Sequence, residues 1–351
     1  MVKVLVVDDS PVAQALLVHV LGSDPEIEVI GTARNGTEAI AVLEKKRPDV
    51  VTMDLHMHGM DGFVATRRIM TECPVPVVIV SGSIDPKLDT TIFQAIEAGA
   101  VAILLRPPGV EHPEHRRAAA ELVQTVKLMS EVKVVRRFQP RTSIARPHSA
   151  ALEEALTAPD IKVIAIGAST GGPIVVKRIL SGLPRTFPIP ILVVQHMAEG
   201  FVEGFAEWLA QACAIRVKVG SHGEFLAPGV AYVGPSGFEL GIDRHGKIEL
   251  ARGKAGAVHC PTVGHLFDSV AQSFGRHAVG VLLTGMGSDG AQGLKRLKGK
   301  GAITIAQDKE SSVIFGMPGE AVKLGAAQHV LPPDAILRML TVLGGKTTAP
   351  F

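Results

Sequence analysis

Cysteine is scarce in this chain. Three stand in 351 residues (Cys73, Cys213, Cys260), an odd number with no Cys-x-x-Cys pair. That usage fits a reducing, cytosolic compartment. Aromatic residues make up only 4 %, with a single Trp (Trp208) and a single Tyr (Tyr232), too few for a stacking platform along a single-stranded nucleic acid. The net charge of +2 is too small to draw the chain to DNA or to an anionic membrane. No apolar run approaches the roughly 20 residues of a membrane span. Met1 to Val4 run straight into a strand-like segment, so no signal peptide is expected. These absences predict a cytoplasmic protein with no nucleic-acid partner and no membrane insertion.

What is present is apolar and alternating. Apolar residues reach 46 %, enough for two cores, and at roughly 150 residues per domain the length suggests two. Strand-like runs at 3–7, 27–31, 50–54, 77–81 and 101–105 alternate with helical patterns at 37–46, 63–72 and 88–98. A further helix is predicted at 114–130. This succession predicts a flavodoxin-like (βα)5 domain over 1–130. Residues 131–159, rich in Arg, Pro, Ser and Ala, read as a linker with room for a short helix at 150–156. A second domain over 160–345 opens with a strand at 162–166. It carries helices near 173–182, 199–212, 263–275 and 289–299, and a hairpin over 230–251 turning at Asp243-Arg244-His245-Gly246. It is predicted to be a doubly wound, mostly parallel α/β domain.

The front domain gathers acid groups. Asp8 and Asp9 end the first strand and Asp54 the third, and a flavodoxin-like strand order makes these ends neighbours. Carboxylates so placed repel unless a hard cation such as Mg²⁺ joins them. Ser81 and Arg106 end the fourth and fifth strands, a hydroxyl and a cation suited to a phosphoryl group on Asp54. Paired aspartates capping the following helices are the plainer reading.

The motifs VVDDS, VTMDLHMHGMDG, VSGS and LLRPPG resemble the receiver domain of two-component response regulators, over residues 1 to about 125. The resemblance implies that Asp54 is the phospho-acceptor and that a histidine kinase is the phosphodonor. It implies that Asp9, Asp54 and the main-chain carbonyl of His56 hold Mg²⁺, with Asp8 supporting through water. Three positions depart from the family: Arg106 for its Lys, His58 for its Pro and Ile103 for its aromatic residue.

The second half delivers one polar residue after each of three strands: Ser169, His196 and Asp289. A hydroxyl, an imidazole and a carboxylate at the carboxyl ends of parallel strands are the parts of a nucleophilic serine site. Gly167-Ala168-Ser169-Thr170-Gly171-Gly172-Pro173 satisfies the G-x-S-x-G elbow. By itself such a turn cradles a phosphate as readily as it presents a nucleophile. Backbone amides at Thr170 and Gly171 are oxyanion candidates, and the Met286 amide in the Gly285-Met286-Gly287 turn is another. The base is either His196 or His329. The α/β-hydrolase chain order selects His329, but His196 lies beyond the strand that follows the Ser169 helix and is preferred. Asp289 orients the base, or simply caps its own helix. Cys260, with no glycine turn at a strand end, is expected to be a buried or loop thiol rather than a nucleophile.

GASTGGP, VVQHM, HCPTVGHLF, LLTGMGSDGAQGL and IAQDKESSVIFGMPGEAV resemble the catalytic domain of protein-glutamate methylesterases, over about 160–345. That family regulates bacterial chemoreceptors. The resemblance implies a Ser169–His196–Asp289 triad acting on glutamate methyl esters, and on glutamine amides, of methyl-accepting chemoreceptors. It implies no cofactor in this domain, and control by phosphorylation of the front one. Cys260-Pro261-Thr262-Val263-Gly264 stands where the family has Arg-Pro-Ser-Val-Asp, and Ala198-Glu199 where it has Pro-Pro. A phosphorylation-dependent adaptor and a nucleotide-binding output domain are the alternatives.

Overall fold

The computed structural model describes residues 1–82, 89–132, 159–253 and 260–346. The chain divides into two compact units, Met1–Ser143 and Ile144–Phe351. Apart from its ends, the segment 131–159 lies outside the described residues, and so does the short helix expected at 150–156.

In the first unit, β1 (Val2–Val7), β2 (Ile27–Ala33), β3 (Val50–Met53), β4 (Val77–Ser81) and β5 (Ala102–Leu105) form one sheet in the order β2-β1-β3-β4-β5. Every pairing is parallel. Between the strands run α1 (Pro11–Gly22), α2 (Gly36–Lys45), α3 (Gly62–Glu72) and α4 (Asp89–Ala98), with α5 (His115–Ser130) closing the unit. Local chemistry sets the starts. Ser10, Asn35 and Asp61 each accept from a backbone N–H three residues on, and Pro11 occupies the first turn of α1. The strand order reverses at β1, so the ends of β1 and β3 share the crevice where such sheets place ligands.

The second unit holds seven parallel strands in the order β14-β13-β12-β6-β7-β9-β8. They are β6 (Val163–Ala168), β7 (Ile191–Gln195), β8 (Arg216–Val219), β9 (Val230–Val233), β12 (Ala278–Leu282), β13 (Ile303–Gln307) and β14 (His329–Leu331). Helices α6 (Gly172–Ser181), α7 (Val202–Ala212), α8 (Val263–Ser273), α9 (Ala291–Gly299), α10 (Met317–Lys323) and α11 (Pro333–Lys346) accompany them. The central strands are apolar but for Gln195 at the end of β7, because both faces are covered; every residue of β6, β7 and β12 is buried. Each buried Val, Ile or Leu contributes roughly 1.5–3 kcal/mol. Here the order reverses at β6, whose neighbours are β7 and β12.

The hairpin is shorter than expected. Its arms are β10 (Phe238–Ile242) and β11 (Ile248–Arg252), paired antiparallel, and Asp243 holds the turn by accepting from His245 and Lys247 N–H. Val230–Val233 is instead β9, a parallel strand between β7 and β8. The reason is burial: all four of its residues are inside, whereas β11 keeps Glu249 and Ala251 exposed.

Candidate active site

Ala168 and Gln195 are register partners at the ends of β6 and β7, so Ser169 and His196 follow side by side. The His196 N–H donates to Ala168 O at 2.9 Å, and the Ser169 N–H donates to Thr284 O, just past β12, at 3.0 Å. Three adjacent strands are tied together at their carboxyl ends by these two bonds. The His196 ring is only 3 % exposed, and its Nε2 lies 2.8 Å from Asp289 Oδ2.

Asp289 is held from several sides. Oδ2 also accepts from Val263 N–H at 2.7 Å, and Oδ1 accepts from Gly264 N–H at 2.9 Å and Gly290 N–H at 2.7 Å. Val263 and Gly264 open α8, so the carboxylate caps a helix other than the one that follows it. The following helix takes Gly290 as its N-cap, at φ 80°, with no side-chain cap. Burial opposes the charge of Asp289. The hydrogen bond from His196 and those from Val263 and Gly264 outweigh burial and hold the carboxyl below its usual range. An ionised carboxylate only accepts, so Nε2 is the donor to Asp289, and the neutral form of the ring would then hold its lone pair on Nδ1.

Two peptide groups beside Ser169, its own with Thr170 and that of Gly285 with Met286, are held by their carbonyls. The Ser169 carbonyl accepts from Gly172 N–H and from Gln195 Nε2, both at 2.8 Å. The Gly285 carbonyl accepts from Gly316 N–H at 3.1 Å and Met317 N–H at 2.9 Å. Peptide planes are rigid, so fixing these carbonyls fixes the opposed N–H groups of Thr170 and Met286. No described protein acceptor takes either N–H. Gly285 presses on the serine: a Cβ there would stand 2.7 Å from Ser169 Cβ. Gly171 takes a left-handed φ of 76° to start α6.

In the first unit, ligand atoms of Asp8, Asp9 and Asp54 lie within 4.8 Å of one another. Arg106 Nη1 donates to Asp8 Oδ2 at 3.1 Å, and the Arg106 N–H donates to Ser81 O at 2.8 Å. Burial, then the charge of Asp8, raises the Asp54 carboxyl to about 6, and burial also raises Asp8. Three clustered oxygen donors, with the charges of Asp8 and Asp54 destabilised, fit a hard divalent cation. His58 Nδ1 contacts Asp9 Oδ2 at 2.7 Å, and His56 stands exposed just beyond Asp54.

The chain matches the model of the CheB methylesterase family over residues 164–340 and that of the response regulator receiver domain over 4–115. It is 53 % identical over 344 residues to a "protein-glutamate methylesterase/protein-glutamine glutaminase 4" of Geobacter metallireducens, covering 98 % of this chain and 99 % of that one. It is 49 % identical over 348 residues to the corresponding protein 1 of Syntrophus aciditrophicus, covering 98 % and 99 %. This chain belongs to the CheB methylesterase family. The crystal structure of the Thermotoga maritima CheB methylesterase catalytic domain is similar at 37 % identity, with a TM-score of 0.51 over 53 % of this chain and all of that one. This kinship does not favour the adaptor or nucleotide-binding alternatives.

The CheB methylesterase fold places the remaining candidates elsewhere. His329 opens β14, the edge strand, three places from β6 and at the opposite end of its strand from the Ser169 turn. Cys260 is a half-buried free thiol in the loop before α8, and burial, then the charge of Glu239, pushes its pKa up.

Sequence reading missed the buried polar residues that close these strands. Gln195 Nε2 also donates to His196 O at 2.9 Å. The Thr284 hydroxyl reaches Thr170 O at 3.0 Å and Ile314 O at 3.2 Å, while the Thr284 N–H donates to Gln307 Oε1 at 2.9 Å. Gln307 in turn donates to Ser311 O at 2.9 Å. The available signal was one polar residue ending each apolar run, as in ILVVQ and ITIAQ. No described helix is long and apolar enough to cross a membrane.

Proposed function

We propose that the chain is a phosphorylation-regulated hydrolase of the cytoplasm that demethylates glutamate γ-methyl esters on chemoreceptor helices. The same site hydrolyses glutamine side-chain amides to glutamate. The observation that carries this reading is the His196–Asp289 contact of 2.8 Å beside Ser169, in a chain whose full-length relatives bear those activities as names.

Ser169 Oγ attacks the ester carbonyl carbon, and its proton passes to Nδ1 of His196. Asp289 holds the Nε2–H and stabilises the imidazolium. The N–H groups of Thr170 and Met286 receive the oxyanion. Collapse of the tetrahedral intermediate breaks the C–O bond to the methoxy group, which takes the proton from Nδ1 and leaves as methanol. Water, deprotonated by the same nitrogen, cleaves the acyl-enzyme to glutamate and free serine. With a glutamine side chain, ammonia leaves instead.

In the receiver unit, Asp54 accepts the phosphoryl group from a histidine kinase. Asp9, Asp54 and the His56 carbonyl would hold Mg²⁺, with Asp8 supporting through water, and a divalent cation there would supply positive charge to the phosphoryl oxygens. Ser81 and Arg106 bind those oxygens. Phosphorylation biases the whole protein toward its active state.

The test is methanol release from a methylated receptor fragment, with and without acetyl phosphate and Mg²⁺. Release that rises with acetyl phosphate, with no such rise in Asp54→Asn, supports the reading. Absence of release under both conditions would overturn it.

A further inference from the structure

We infer that Gln195 is a positioning residue for the oxyanion site. Its side-chain amide sets the direction of the Thr170 N–H and ties the nucleophile's strand to the base's strand. The inference rests on the reading of Ser169 as nucleophile and deepens it.

Gln195 is 4 % exposed, and its single Nε2 donates to Ser169 O at 2.8 Å and His196 O at 2.9 Å. One amide group therefore bridges the residue proposed to attack and the residue proposed to take its proton. Ser169 O belongs to the same planar peptide as Thr170 N. Holding that oxygen against Gln195 turns the Thr170 N–H the opposite way, and no described acceptor takes it. The second donor peptide, Gly285–Met286, is pinned by backbone alone, through Gly316 and Met317 N–H. Its partner is pinned by one backbone N–H and this side chain.

The other half of the amide points to the same role. Among the described residues Gln195 Oε1 is buried without a hydrogen-bond partner, packed against Gly172 at the start of α6. A residue kept for stability alone would not hold an unsatisfied buried oxygen when an apolar side chain of similar shape fits the strand. What the glutamine supplies, and methionine does not, is the pair of N–H donors. A peptide free to rotate presents its carbonyl, not its N–H, to the developing anion for part of the time, which slows the chemical step and leaves ground-state binding intact.

The experiment compares wild type, Gln195→Met, Gln195→Glu and Ser169→Ala in the full-length protein, activated with acetyl phosphate. Methanol release gives kcat and KM, and an alkylboronic acid that adds to the serine as a tetrahedral anion serves as the transition-state mimic. Gln195→Met should lose about 10²-fold in kcat, keep KM within about twofold, and bind the boronic acid more weakly by a factor matching the kcat loss. Its melting temperature should fall modestly, because the His196 carbonyl loses the Gln195 donor, with the variant still folded at the assay temperature. Gln195→Glu keeps the shape and supplies at most one donor in place of two, so it should show a lowered kcat with KM held if Gln195→Met does not fold. Unchanged kcat in a folded variant, or a raised KM with kcat intact, overturns the inference. Wild type that releases no methanol would sink the serine-hydrolase reading itself, whereas active Gln195→Met beside silent Ser169→Ala removes only the role of Gln195.

Discussion

His196 Nε2 lies 2.8 Å from Asp289 Oδ2, and three backbone N–H groups occupy the rest of that carboxylate. Asparagine cannot serve there. Its single oxygen satisfies Gly264 and Gly290 only by turning its NH₂ toward Val263 N–H and His196, where it meets donors. The ring is then forced to present Nε2 as acceptor, and Nδ1 loses the lone pair it needs. Asp289→Asn should lower kcat by about 10⁴-fold. It should also lower stability by roughly 1–3 kcal/mol, because a buried donor is left unpaired. Steady-state methanol release and urea unfolding measure the two effects; kcat within tenfold of wild type would contradict this assignment.

Gly285 is tested by adding one carbon. A Cβ at this position would stand 2.7 Å from Ser169 Cβ and 3.2 Å from Ser169 N, so the serine turn must shift. Gly285→Ala should reduce kcat by about 10²-fold, the scale expected when a reacting group moves by an ångström. Labelling of Ser169 by a fluorophosphonate should slow in parallel. A full labelling rate would mean that the turn gives way without cost.

Thr284 supports the same turn through its hydroxyl, which is fully buried and bonds Thr170 O and Ile314 O while accepting from Ile314 N–H. Thr284→Val is isosteric but strips these bonds. It should cost roughly 1–3 kcal/mol in unfolding free energy. Thr284→Ser keeps the hydroxyl and should recover most of that loss. Equal stability of the two variants would show that the hydroxyl is dispensable.

Asp54 predicts a pH effect with a definite sign. Its carboxyl is raised to about 6 in the folded chain, first by burial and then by Asp8. Below the unfolded value near pH 4, both states hold the proton and no penalty exists. As pH rises from about 4 to about 6, the unfolded state ionises first and stability falls. Above that range the penalty is complete, roughly 3 kcal/mol at 1.36 kcal/mol per pH unit. In EDTA, Asp54→Asn should therefore exceed wild type in receiver stability at pH 7.5 and match it near pH 4. Mg²⁺ should narrow the gap at pH 7.5 by stabilising wild type. Urea unfolding at the two pH values checks this; a gap that grows toward acid would reverse the sign.

Much of the fold was legible because buried parallel strands are apolar runs with turn residues at their ends. KVLVV, VVIVS and ILVVQ needed no tertiary information, whereas the capping by Ser10, Asn35 and Asp61 emerged only from the structure. The positions of Ser169, His196 and Asp289 were legible for the same reason, since each follows such a run. The supports of Asp289 were not: Val263 and Gly264 lie some 25 residues earlier in the chain, and only the packing of α8 against α9 brings them to it. Gln195 and Thr284 escaped notice because a lone polar residue at a strand end has many ordinary fates. Val230–Val233 was read into the hairpin because four apolar residues carry no period that separates an arm from a central strand.

In the proposed mechanism Ser169 is the group that becomes acylated. The decisive measurement is methanol release from a methylated receptor fragment by Ser169→Ala, beside wild type under the same activation. The variant, folded and phosphorylated like wild type, should lose at least about 10³-fold in rate. Turnover within tenfold of wild type would contradict it and pass the nucleophile's part to another residue.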